Sequence, residues 1–86
     1  MTTVPTVHLN GTSFTSLRDG YANAYDAIEK ALSALAQAEL NGRDFYVQGP
    51  AAYSQARAER KTALDSLWSA HEYAGEMLSG ICDQKR

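Results

Sequence analysis

Between Phe14 and Ala38 the apolar side chains Leu17, Tyr21, Ala24, Ile28, Ala31, Leu35 and Ala38 step by four and three residues, and a second track, Tyr21, Tyr25, Ile28, Leu32 and Leu35, runs beside the first. Steps of three and four gather side chains on one face of an α-helix, whereas a half-buried strand alternates by two. Two overlapping tracks make an apolar face wider than one coiled-coil seam. A later stretch repeats the pattern through Tyr53, Ala56, Arg60, Ala63, Leu64, Leu67, His71, Ala74, Leu78 and Ile81. The chain is therefore expected to be all-α, and it contains no internal sequence repeat.

Turn and cap residues set the boundaries. From Met1 to Leu9 small polar and β-branched side chains alternate around Pro5, which predicts an arm over 1–12 that is extended or forms a short edge strand. Asn10-Gly11 supplies a turn, and Thr12 or Ser13 can accept hydrogen bonds from the free N–H groups of a helix over 13–39. Gly20 inside that helix costs about 1 kcal/mol relative to alanine, or marks close approach of another helix. Asn41-Gly42 can end the helix through a left-handed turn, and Gly49-Pro50 restarts the chain, with Pro50 suited to the first helical position. A loop over 40–49 then leads to a second helix over 50–80, stopped at Gly80, and a polar tail over 81–86 is expected to fray.

Two helices of about 40 Å joined by about ten residues make an antiparallel hairpin in a single small domain. Such a hairpin cannot cover both of its apolar faces, so the expected state is a homo-oligomeric helical bundle, a dimer or higher. Size points the same way, because a chain of 86 residues buries a modest fraction of its surface and normally needs staples or a partner subunit. The single cysteine, Cys82, cannot form a disulfide within the chain.

Composition excludes several function classes. Eight Lys and Arg against ten Asp and Glu leave a net charge of −2 without any dense basic tract, which argues against duplex nucleic acid as a partner. The longest apolar runs are a few residues, too short to span a bilayer. The start lacks the basic and apolar regions of a secretory signal, so a cytoplasmic location is expected, and Asn10-Gly11-Thr12 then has no meaning as a glycosylation acceptor. His8 and His71 are the only histidines and neither stands at metal-ligand spacing. His71 reads as a core or interface residue, and Glu72 and Glu76 as a solvated pair one turn apart. No catalytic residue, metal or cofactor is expected.

Two polar motifs remain. In the first, His8, Asn10, Thr12 and Ser13 crowd an imidazole, an amide and two hydroxyls at a helix N-terminus, where free N–H groups and the positive dipole end attract anions. In the second, Arg43 carries a five-donor fork suited to phosphate, and Asn41 and Asp44 can bind ribose hydroxyls. Phe45 and Tyr46 offer faces for a base, and Gln48 offers a donor and acceptor for a purine edge. The competing structural reading has Phe45 and Tyr46 plugging the open end of the hairpin and Arg43–Asp44 forming a surface ion pair. Arg57, Arg60 and Lys61 form the only other basic cluster and read as a solvated face. The motifs fall at opposite ends of the first helix, so only hairpins placed tail to head can combine them into composite sites repeated by symmetry.

At these residues the chain resembles a family of short phage and prophage proteins. That family joins a Val-His-Leu-Asn-Gly-Thr-Ser start to a long helix, an Asn-x-Arg-Asp-Tyr-Tyr-x-Gln-Gly loop and a second helix. Here the start is Val7–Ser13 and the loop is Asn41–Gly49, with Phe45 in place of the usual tyrosine and Val47 where proline is common. The architecture is similar to small phage anti-defence sponges, oligomeric helical proteins that sequester nucleotide second messengers of bacterial immunity. The resemblance implies a non-enzymatic binder of a cyclic oligonucleotide or cyclic ADP-ribose derivative, acting in the cytoplasm of an infected bacterial cell. The alternatives are an inhibitor that blocks a host defence protein, such as a CRISPR complex, by direct contact, and a structural oligomer without ligand.

Overall fold

A computed structural model describes residues 2–84, leaving Met1 of the arm and Lys85 and Arg86 of the tail outside the described residues. Helix α1 spans Phe14–Gln37 and helix α2 spans Ala52–Cys82; between them lie two single 3-10 turns, Gly42–Asp44 and Tyr46–Gln48. The helices pack against each other as a hairpin. No strand occurs among the described residues, and the arm is extended without forming an edge strand.

Each helix end is held by a different device. Ser13 is the N-cap of α1: its backbone is extended (φ −63°, ψ 152°) and its Oγ accepts the Ser16 N–H at 3.1 Å. At the far end, the left-handed turn expected at Asn41-Gly42 does not form, because Gly49 is the one described residue with a positive φ. The guanidinium of Arg60 takes its place. Nη1 donates to the Ala38 carbonyl at 2.6 Å, and Nη2 donates to the Leu35 and Ala36 carbonyls at 2.5 and 2.6 Å. The last carbonyls of a helix have no partner within it and carry the negative end of the dipole, so a cation with several donors satisfies both needs. Arg60 therefore belongs to the hairpin's structure and not to a solvated basic face.

Helix α2 starts later than its sequence suggests. Gly49, at φ 118°, occupies backbone space that favours glycine, and Pro50 and Ala51 continue the turn before the helix begins at Ala52. It also ends later, running through Gly80 to Cys82. A Cβ at Gly80 would lie 2.7 Å from Val4 Cγ2, so this glycine is the seat on which the arm rests and not a helix stop. The arm runs in the same direction as the last turns of α2. Thr2 Oγ1 donates to Glu76 Oε1, the Val7 N–H donates to Gln84 Oε1 at 2.8 Å, and Gln84 Nε2 donates to the Pro5 carbonyl at 2.8 Å. The described part of the tail, expected to fray, thus clasps the arm, while the Cys82 thiol is exposed.

The core is sparse. Leu32, Ala74, Met77 and Ile81 are the buried hydrophobic residues among those described. Tyr25 packs over Gly75, where a Cβ would meet the ring at 3.0 Å. The hairpin measures 61 × 22 × 18 Å, and its radius of gyration of 18.6 Å compares with about 12 Å for a compact chain of this length.

These contacts separate positions that look alike in sequence. Gly20 has nothing within 4 Å of its missing Cβ, so Gly20→Ala should raise stability by about 0.5–1 kcal/mol in thermal unfolding. Gly80→Ala should gain nothing, because its Cβ displaces Val4, and hydrogen exchange at the Val7 amide should accelerate. Arg60→Ala should cost about 1–3 kcal/mol through loss of three bonds to helix-end carbonyls, while Arg57→Ala, which loses only a guanidinium 5.7 Å over the Tyr53 ring, should cost about 0.5–1 kcal/mol.

Candidate functional site

The loop is a built structure. The Asp44 N–H donates to the Asn41 carbonyl at 3.1 Å and Phe45 to Gly42 at 3.0 Å. Gln48 donates to Phe45 at 2.9 Å and Gly49 to Tyr46 at 3.3 Å. These four bonds close two successive turns and constrain the chain path. Phe45 turns inward, half-buried, with its ring 6.1 Å from that of Tyr53 and tilted 40° to it, while the Tyr53 hydroxyl donates to the Leu40 carbonyl at 3.4 Å. Phe45 and Tyr53 together plug the open end of the hairpin.

Tyr46 takes no part in the plug. It is 76% exposed and its neighbour Val47 78%. Arg43, Asp44 and Gln48 are also exposed, and no ion pair joins Arg43 to Asp44 among the described residues. Asn41 is committed, its Nδ2 donating to Glu39 Oε2 at 2.9 Å. The loop therefore divides into Asn41 and Phe45, which hold its shape, and Arg43, Asp44, Tyr46 and Gln48, which stand in solvent on a fixed scaffold.

At the other end of α1, His8, Asn10 and Thr12 are exposed while the Ser13 hydroxyl is committed to the cap. The His8 ring lies on Gly11, where a Cβ would come within 2.8 Å of Nε2, and the Gly11 N–H closes the turn onto the His8 carbonyl at 3.1 Å. The 24 residues of α1, about 36 Å, separate this group from the loop. One chain does not bring the two motifs together.

An open groove of about 740 Å³ lies elsewhere, along the C-terminal half of α2. Asp65, Glu72, Glu76 and Asp83 line it, and among the described residues no Lys or Arg does, so their field disfavours an anion there. Aromatic rings cluster at its edge. The Tyr25 ring stacks on His71 at 4.1 Å, Trp68 meets His71 edge-on at 5.6 Å, and Glu29 Oε1 lies 3.4 Å from His71 Nε2. His71 is enclosed as an inter-helix residue, its side chain 13% exposed, while Trp68 is 59% exposed. The sequence pattern passed over Trp68 because it stands one position off the apolar stripe; its spacing of four from Leu64 was the available signal. Among the described residues, no group of three or more His, Cys, Asp or Glu is placed to hold a metal ion. No helix there is long and apolar enough to cross a membrane.

Comparison of the chain with protein-family models, with curated proteins and with solved structures finds no match.

One titration is shifted by local geometry. Tyr21 lies edge-on to Tyr73 at 6.4 Å between centroids, and hydrogen bonding with that side chain, aided by burial, raises the Tyr21 phenol above its ordinary value. Folding thus favours the neutral phenol, so this contribution to stability is full below the ordinary phenol range and is lost as pH rises through the raised value. Tyr73→Phe should return the Tyr21 titration, followed by NMR, toward the ordinary value of 10.0.

Proposed function

We propose that this chain is a non-enzymatic binding protein that captures a small nucleotide-derived anion by stoichiometric uptake into an assembly of hairpins. The observation that carries the reading is the division of labour in the loop. Arg43 and Tyr46 stand exposed on a loop held by four internal backbone hydrogen bonds, while the neighbouring Phe45 and the more distant Arg60 supply the structural work. A guanidinium fork is suited to phosphate and a phenol ring to base stacking, with Asp44 and Gln48 able to take ribose and base-edge hydrogen bonds.

His8, Asn10 and Thr12 from a neighbouring chain complete the site over the ribose-phosphate edge. The resemblance of the two motifs to those of short phage proteins narrows the ligand within this reading to a second messenger of bacterial immunity, of cyclic oligonucleotide or cyclic ADP-ribose type. Capture that silences such a signal in the cytoplasm of an infected cell requires nanomolar affinity, about −12 kcal/mol. Charge-assisted hydrogen bonds and stacking in a closed site reach that range, and no step of covalent chemistry is needed.

The test is to incubate the protein with a panel of cyclic nucleotides and ADP-ribose derivatives, isolate and heat-denature it, and analyse the released material by mass spectrometry. Intact release supports capture. Converted product would replace it with an enzyme, and no uptake would replace it with a protein partner. Arg43→Ala should weaken binding by roughly 2–4 kcal/mol without loss of fold, since Arg43 lies outside both apolar stripes. Mixtures of Arg43→Ala and His8→Ala proteins should recover part of the binding through mixed assemblies. Subunit exchange without any recovery would place each site within one chain.

A further inference from the structure

We propose that the face around Trp68 is where a second copy of this chain docks, the two hairpins lying antiparallel about a two-fold axis that passes beside Trp68. The proposal rests on the reading above only for what the assembled ends bind; the interface stands on separate observations.

The first is the amount of surface left uncovered. The chain exposes 6389 Å². A compact monomer of 9.4 kDa exposes about 5,000 Å² by the scaling of surface with mass, so about 1,400 Å² is in excess. A standard stable interface takes about 800 Å² from each partner. The hairpin thus carries more than enough surplus surface for one full interface.

The second is the shape of this face. A mainly apolar groove of about 340 Å³ runs between the helices, walled by Leu32, Ala36, Leu64 and His71, with Trp68 and the charged Glu29 also in its lining. An exposed indole and a groove able to receive one lie side by side on the same surface. That is the condition for an isologous contact, in which each copy inserts the same side chain into the same recess of the other. Tryptophan is also the residue type most enriched where binding energy concentrates.

The third is charge order along α2. Before Trp68 stand Arg57, Glu59, Lys61 and Asp65, with Lys61 Nζ 2.9 Å from Asp65 Oδ2, and after it stand Glu72 and Glu76. Lys61 and Glu76 lie about two turns before and after Trp68, so antiparallel docking about Trp68 sets Lys61 of each copy opposite Glu76 of the other, whereas parallel docking sets Glu72 and Glu76 against their own counterparts. Complementarity of this kind selects orientation more than it adds affinity.

Position then links the interface to the site. Trp68 lies near the middle of α2, Ala52–Cys82, so a two-fold axis there overlaps the helices along their full length. The loop carrying Arg43 and Tyr46 packs on the first turns of α2 through Gly42 and Phe45 against Tyr53, and the turn carrying His8, Asn10 and Thr12 follows the Val7–Gln84 clasp at the other end of α2. Antiparallel copies bring this loop and this turn level at both ends of the dimer, the juxtaposition that one chain cannot make.

Trp68 is the only tryptophan, so its emission reports on this face alone. Without any nucleotide present, light scattering at micromolar concentration should give twice 9.4 kDa with blue-shifted emission, and dilution should lower the mass and red-shift the emission together. Ala36→Glu places a carboxylate in the groove at an exposed helical position; it should give a monomer with red-shifted Trp68 and unchanged far-ultraviolet helicity. Trp68→Ala should give the same monomer by scattering. A doubled mass with Trp68 still emitting as a solvent-exposed indole would overturn the proposal, as would a wild-type monomer at every concentration. Because ligand is absent, failure of nucleotide capture leaves these outcomes unaffected.

Discussion

Two helices that touch along one line leave most of each circumference in water, and every other feature of this hairpin follows from how the chain meets that constraint. Four hydrophobic residues are buried among those described, Leu32 from α1 and Ala74, Met77 and Ile81 from α2. Three of the four lie in the last turns of α2, where the arm adds a third layer through Val4. Toward the loop the contact is thinner, and there polar devices hold the pair. The guanidinium of Arg60 bridges the helices by holding the end of α1, and Phe45 and Tyr53 close the tip. Because helix stability in proteins comes mainly from packing an apolar face, a hairpin with so little private core is completed best by packing on another copy.

The same constraint separates shape-holding residues from those free to bind. At the loop, inward-facing Phe45 and internally bonded backbone leave Arg43 and Tyr46 without structural duties. At the opposite end, the Ser13 cap and the Gln84 clasp do the equivalent work for His8, Asn10 and Thr12. Neither end encloses a ligand alone, and the groove along the C-terminal half of α2 is acidic among its described lining residues. In the function proposed above, binding and assembly are coupled: whatever orients one hairpin against the next also decides whether the two ends form a site.

Much of the fold was legible in the chain because apolar spacing is a local signal. Steps of three and four along Leu17–Ala38 and Tyr53–Ile81 report a helix whatever its surroundings, and polar turn residues between them report a hairpin. The misread positions depend on partners distant in sequence. Arg60 looked like part of a solvated cluster, since its carbonyl partners lie more than twenty residues away. Gly80 looked like a helix stop, since its reason for being glycine is Val4 at the other end of the chain. The polar motifs were visible as an excess of hydrogen-bonding groups, but only the fold sorts Asn41, Ser13 and Phe45 into structural roles. Trp68 was missed because exposure is a tertiary property, and a tryptophan beside an apolar stripe reads as an extension of the core.

The central claim is that the functional unit is a side-by-side antiparallel pair of hairpins, and small-angle X-ray scattering measures it most directly because mass and length come from one curve. The account predicts a particle of twice 9.4 kDa whose longest dimension stays close to the single hairpin's 61 Å, with a thicker cross-section. A particle of 9.4 kDa at all concentrations would contradict it, and so would a doubled mass accompanied by a doubled length, which would mean that the hairpins join end to end and leave the Trp68 face open.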